Sequence, residues 1–194
     1  MKSTIQLTVV ASILAIGTCA YAQQGFLRPE VSYNFASTSD SVVSLKDSAG
    51  FTVAGGAYFG SQNEHEVGLS VGVVNFDLKP VVISGVRVTG DVKTVPVLAT
   101  YRYYLGARND RVRLYAAPSA GWTFIKMSAT GELSGITASD SDSETDFTWS
   151  LGVGVLVNVA PKFDIDAGYR YQQINAGGGH VNVSTIYAGL NWRF

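Results

Sequence analysis

Past residue 22 the chain alternates apolar and non-apolar residues with period two, and no segment keeps the period of an amphipathic helix over a useful length. Eight such segments are legible, at 27–36, 51–59, 66–73, 94–103, 112–124, 147–158, 163–172 and 185–194. In the first, Leu27, Pro29, Val31, Tyr33 and Phe35 alternate with Arg28, Glu30, Ser32, Asn34 and Ala36. In the sixth, Phe147, Trp149, Leu151, Val153, Val155 and Val157 alternate with Thr148, Ser150, Gly152, Gly154, Leu156 and Asn158. The alternation of the third slips near Asn75-Phe76, which predicts a β-bulge there. Pro96 and Pro118 weaken the strands they occupy, because proline donates nothing to a ladder.

The connections alternate in length. Those at 60–64, 105–111 and 159–162 are short, whereas those at 37–50, 77–93 and 126–146 are long and are expected to be loops. Short turns on one side and long loops on the other are the pattern of an up-and-down transmembrane barrel. Eight strands enclose room for side chains or one small ligand, so the bulky faces do not fit inside. The opposite faces, rich in Gly, Ala, Ser and Thr, do. Phe35, Phe51, Phe59, Tyr101, Tyr103, Trp122, Phe124, Phe147, Trp149, Phe163, Tyr171, Trp192 and Phe194 gather toward segment ends, as two interfacial girdles around an aliphatic band. The fold expected is all-β: an eight-stranded antiparallel transmembrane β-barrel.

Residues 1–22 read as a cleaved signal peptide: Lys2, an apolar stretch, then Ala20-Tyr21-Ala22. Residues 23–194 are then the barrel domain, and the single cysteine, Cys19, leaves with the signal. Thr18 is a poor residue for a lipoprotein junction before Cys19. The 15% charged fraction and net charge of −1 give no basic run for nucleic acid.

The runs Thr94-Val95-Pro96-Val97-Leu98-Ala99-Thr100-Tyr101-Arg102-Tyr103-Tyr104 and Phe163-Asp164-Ile165-Asp166-Ala167-Gly168-Tyr169-Arg170-Tyr171 resemble the small outer-membrane β-barrel proteins of the OmpA/OmpX type. So does the end of the chain, with Leu190, Trp192 and Phe194 in alternate positions. The resemblance covers the mature chain, as pattern. It implies a Gram-negative outer-membrane location reached through the periplasm. It implies Leu190, Trp192 and Phe194 as an assembly signal read by the barrel-assembly machinery. Lipid and lipopolysaccharide are the expected surroundings, and the chain is expected to be a monomer. No peptidoglycan-binding module is expected after Phe194. The family holds adhesins, channels, structural anchors and a few enzymes, so the resemblance assigns no activity.

Little catalytic chemistry is legible. His65 and His180 belong to opposite ends of the barrel and cannot share a metal. A lipid-modifying enzyme needs a paired His and Ser, and Ser184 near His180 has no evident acid. Asp140, Asp142, Glu144 and Asp146 are spaced like the start of a calcium loop, but Thr145 stands where an EF-hand requires Gly. The run is expected to be a solvated outer loop. No cofactor, metal or catalytic residue is assigned, and the chain is not expected to be an enzyme. On the lumen face, Arg28, Glu30, Glu66, Arg102, Arg113, Asp164, Asp166 and Arg193 fall toward the periplasmic side, with Arg170 above them. They are expected to pair and block the lower lumen. The function expected is a structural or surface-interaction barrel that meets an extracellular ligand through its loops. The alternatives are a narrow channel or transporter for small or apolar solutes and, remotely, a lipid-modifying enzyme.

Overall fold

The computed structural model describes residues 24–38, 45–83, 86–107, 110–133, 136–176 and 179–194. The expected signal segment, 1–22, lies outside the described residues. The strands are β1 (Gln24–Thr38), β2 (Ser48–Phe59), β3 (His65–Asp77), β4 (Val81–Ile83), β5 (Val86–Leu105), β6 (Val112–Leu133), β7 (Ile136–Ala160), β8 (Phe163–Ala176) and β9 (Gly179–Arg193). They form one sheet in the order β3-β2-β1-β9-β8-β7-β6-β5-β4, and pairing of β3 with β5 closes it. Eight long antiparallel strands make the ring, and the three-residue β4 is a short arm on β5. Below the β1–β9 seam, Gly25 and Phe194 exchange backbone hydrogen bonds of 2.9 and 3.0 Å.

Closure satisfies strand edges within the ring, which a sheet in hydrocarbon requires. The apolar faces turn outward: Val31, Phe51, Trp122, Leu151, Ile165 and Ile186 are all exposed. Tyr33, Phe35, Trp122, Phe124, Phe147 and Trp149 mark one end of this surface, and Tyr101, Tyr103, Phe163, Trp192 and Phe194 the other. At the latter end, Gly60 (φ 86°) and Asn63 (φ 51°) turn β2 into β3. Glu64 accepts the Gln62 amide at 2.8 Å. Backbone amides, its own first and then that of Gln62, hold the Glu64 carboxyl below the usual range.

Three expectations are corrected. First, two of the long outer connections are largely strand. β6 and β7 stay in continuous register from Lys126↔Ser143 up to Leu133↔Ile136, so 126–133 and 136–146 are the paired arms of a projecting hairpin. Its Ser, Thr and Asp residues alternate without hydropathy contrast, and an apolar pattern does not register such a ribbon. Likewise β3 reaches Asp77, opposite Asp91 on β5. Second, there is no bulge at Asn75-Phe76: pairing runs from His65↔Tyr103 to Asp77↔Asp91 without a shift. Phe76 points inward instead, at 2% exposure, so the slipped hydropathy records an apolar lumen wall. A bulge does occur between Asn158 and Ala160, where β7 meets β8. Third, the prolines leave their strands whole. The β3–β5 ladder passes from Val71↔Val97 to Val74↔Thr94, skipping Pro96, and the β5–β6 ladder passes from Thr100↔Ser119 to Tyr103↔Ala116, skipping Pro118. Each proline keeps its pairing on the other neighbour, Thr123 and Leu151 respectively.

Candidate functional site

The lumen has three layers. In the lowest, Arg28, Arg102 and Arg170 meet Glu30, Glu66 and Asp166. Arg28 reaches Glu66 at 2.7 Å, Glu30 at 3.1 Å and Asp166 at 3.2 Å. Arg102 reaches Asp166 at 2.6 Å, Glu30 at 3.2 Å and Glu66 at 3.5 Å. Arg170 closes on the second oxygen of Glu30 at 3.1 Å. Three cations and three carboxylates are therefore balanced in a largely buried space, the arrangement that confined charges require.

Strand alternation explains the convergence. Arg28 and Glu30 share the inner face of β1, Glu66 sits opposite Arg102 across β3 and β5, and Asp166 comes from β8 across the lumen. Aromatic rings fill the remaining space. Tyr104 donates to Glu66, and Tyr115 donates to Asp166 while its oxygen lies 2.7 Å from that of Tyr187. The Arg102 guanidinium lies 4.4 Å from the centre of the Tyr115 ring, and Arg28 lies 4.7 Å from that of Phe26. Glycines make room for these rings: a Cβ on Gly168 would stand 2.6 Å from the Tyr187 hydroxyl, and one on Gly154 would collide with Tyr115.

At the lower rim of this layer lies a satellite. Arg193 Nε stands 2.9 Å from Asp164, which also accepts Asn191 and Asn158 at 2.9 Å each. Asn191 donates in turn to Tyr58 at 3.0 Å. Arg113 stands outside the ion pairs of the described residues: it donates to the Asn63 carbonyl at 2.8 Å and lies 4.5 Å over the Tyr104 ring, and it shares a small void with Asp110 and Asp164. The structure thus gathers Arg28, Glu30, Glu66, Arg102 and Asp166 into one network, with Arg193–Asp164 beside it and Arg113 apart. Arg170, expected above the cluster, is part of it. Two cavities at this level are water-sized, about 10 Å³ each.

The middle layer is small and polar. Thr123 and Thr148 share a hydrogen bond of 2.7 Å, Thr100 donates to Ser119 at 2.9 Å, and Thr185 donates to Asn34 at 2.8 Å. Above it the lining changes. Leu45, Phe76, Val92, Ile125, Ile174 and Val183 form a buried apolar cluster around a cavity of about 210 Å³. Thr94, at its edge, directs its hydroxyl to the Val74 carbonyl at 3.3 Å.

The tyrosines 58, 104, 115 and 187, Asn191 and the apolar upper wall were missed in the sequence reading. The signal for the wall was present in the apolar residues of the inner parity near strand ends, Ile174, Val183 and Phe76. Of the catalytic alternatives, Ser184 is engaged with the Tyr169 hydroxyl at 2.8 Å, and His65 Nδ1 with Tyr101 at 2.7 Å. Among the described residues no group of three or more His, Cys, Asp or Glu is placed to hold a metal ion. Asp142 and Glu144 are exposed on β7, on the projecting hairpin.

The family profile described as "Outer membrane protein beta-barrel domain" matches residues 8–194. The chain belongs to this outer-membrane barrel family. Solved structures support the same fold. Neisserial surface protein A (NspA) is 20% identical, with a TM-score of 0.56 over 88% of this chain and 97% of its own. Ail, the attachment invasion locus protein of Yersinia pestis, is 21% identical, with a TM-score of 0.56 over 88% of this chain and 98% of its own. The outer membrane protein OprG from Pseudomonas aeruginosa is 14% identical, with a TM-score of 0.57 over 90% of this chain and 97% of its own. No curated protein matches the sequence.

Proposed function

We propose that this outer-membrane barrel is a closed structural body that presents its projecting strands as a surface for an extracellular partner. The observation that carries the closed reading is the neutral network of Arg28, Arg102, Arg170, Glu30, Glu66 and Asp166 across the lower lumen. A channel needs a continuous water path, and voids of only about 10 Å³ beside this network support the closed reading. The surface reading is supported by the long β6–β7 hairpin, whose strands of 22 and 25 residues rise well beyond the lipid band. Ail, one of the similar folds, was solved with the heparin analogue sucrose octasulfate. Asp142 and Glu144 on the hairpin repel such a polyanion, so the partner sought by this surface is neutral or basic.

In the same reading, residues 1–22 direct export and are cleaved. Leu190, Trp192 and Phe194, side by side on the lipid face, serve as the assembly signal. The barrel works as a monomer among lipid and lipopolysaccharide, with no enzymatic step. Conductance of the refolded protein in a planar bilayer tests the closed reading: little or no steady current is expected. A stable porin-sized conductance would overturn it in favour of a channel.

A further inference from the structure

We infer that the outer end of the lumen is a binding site for one small apolar molecule of bicyclic-aromatic size, uncharged or carrying a single cation. The carrying observation is the cavity of about 210 Å³ among Phe76, Val92, Ile125, Ile174, Val183 and Leu45. It sits above a hydroxylic layer and a lower layer in which aromatic rings pack among paired charges, so it is the part of the lumen whose wall is apolar without charged groups. Five strands contribute to it: β3, β5, β6, β8 and β9. Water in it would lack hydrogen-bond partners, and apolar cavities of this kind stay dry and take apolar guests; one of about 150 Å³ takes benzene. A cavity about 1.4 times that size has room for two fused rings.

The form of the site favours a free small molecule. Leu45 bridges to Leu78 beside the cavity, Lys46 N–H donates to the Asp77 carbonyl at 2.9 Å, and Leu78 N–H donates to the Gly90 carbonyl at 2.9 Å. Leu78 lies against Gly90, where a Cβ would stand 2.8 Å from its methyl. Leu45 and Leu78 thus fold over a recess, and a macromolecule would have to thread a side chain beneath them. The register also sets charge preference. Glu144 pairs with Ile125 and Asp142 with Met127, on the face of the hairpin that continues the cavity wall. An ammonium on the ligand meets these carboxylates, and a carboxylate is repelled. The blind floor rests on the closed-lumen reading, which conductance tests separately; binding requires only the cavity.

The test is a methyl NMR titration of the refolded protein in lipid nanodiscs with naphthalene, 2-naphthylmethylamine and 2-naphthoate. Saturable shifts are expected at Ile125 and Ile174, with unsaturated drift at the lipid-facing Ile165 and Ile186, which report partition into the bilayer. The amine is expected to bind at least as tightly as naphthalene, and the naphthoate more weakly. Ile174→Trp, which fills the cavity, and Val183→Phe, a milder filling, are each expected to abolish saturation while the spectrum stays that of a folded barrel. Parallel unsaturated drift at all four isoleucines would overturn the site. So would saturation that persists in both folded variants. Equal binding of naphthoate and amine would overturn the charge preference. Cross-relaxation from lipid acyl protons to Ile125 before ligand is added would assign the cavity to lipid and overturn a free guest.

Discussion

The two ends of the lumen show opposite ways of filling one barrel. At the lower end, Arg28, Arg102, Glu30, Glu66 and Asp166 are almost completely buried, yet nearly every charge has an opposite charge within about 3 Å. At the upper end the buried side chains are aliphatic or phenyl and leave a cavity. The polar end packs tightly because charge pairing is directional and each unmet charge is expensive. The apolar end tolerates empty space because dispersion loss per atom is small. Small voids belong to the plug, and the larger cavity to the outer mouth.

The comparison breaks most visibly at Arg102. Arg102→Met leaves Glu30, Glu66 and Asp166 facing Arg28 and Arg170, and should cost about 3–5 kcal/mol, the scale for one lost partner of a buried pair. The midpoint of urea unfolding in liposomes reads it; an unchanged midpoint would mean that water screens the plug. Tyr104→Phe removes a hydroxyl that donates to Glu66. A loss of about 1.5–3 kcal/mol is expected, the range for hydrogen bonds to charged groups. In the upper layer, Ile125→Val should cost only about 1 kcal/mol, a methylene beside an existing cavity. A loss as large as that of Arg102→Met would erase the distinction between the layers. The smallest effect is expected for the double variant Arg102→Met/Asp166→Leu. It leaves Arg28 and Arg170 with Glu30 and Glu66, a balanced set, and Tyr115 keeps Tyr187 as a partner. Its unfolding midpoint should lie closer to the parent than that of Arg102→Met, and a double-mutant cycle measures the coupling. Additive losses would show that the two side chains do not act as a pair.

Much of this was legible from alternation. Arg28, Glu30, Glu66, Arg102, Asp164 and Asp166 share the inner parity of their strands, and strand direction sets their height. Phe76 was legible too, but as a slip in the pattern: outward hydrophobicity dominates the signal, so an inward apolar residue reads as a register error. The projecting β6–β7 arms, 126–133 and 136–146, were invisible for the opposite reason, since serine, threonine and aspartate on both faces offer no hydropathy contrast.

By itself the sequence determined which residues face lipid and which face the lumen, because a strand sends successive side chains to opposite sides whatever it pairs with. It also determined that the strands close into a ring, since eight apolar faces in lipid tolerate no open edge. Only the tertiary structure decided which inner residues meet. Arg28 is 38 residues from Glu66, and Arg102 is 64 residues from Asp166. Their contact depends on how far each strand is staggered against the next, a quantity summed around the barrel that no single strand encodes. The same sum places Arg113 over Tyr104 and outside the ion-pair network, and lifts Phe76, Ile125 and Ile174 to one height, where their side chains enclose a cavity.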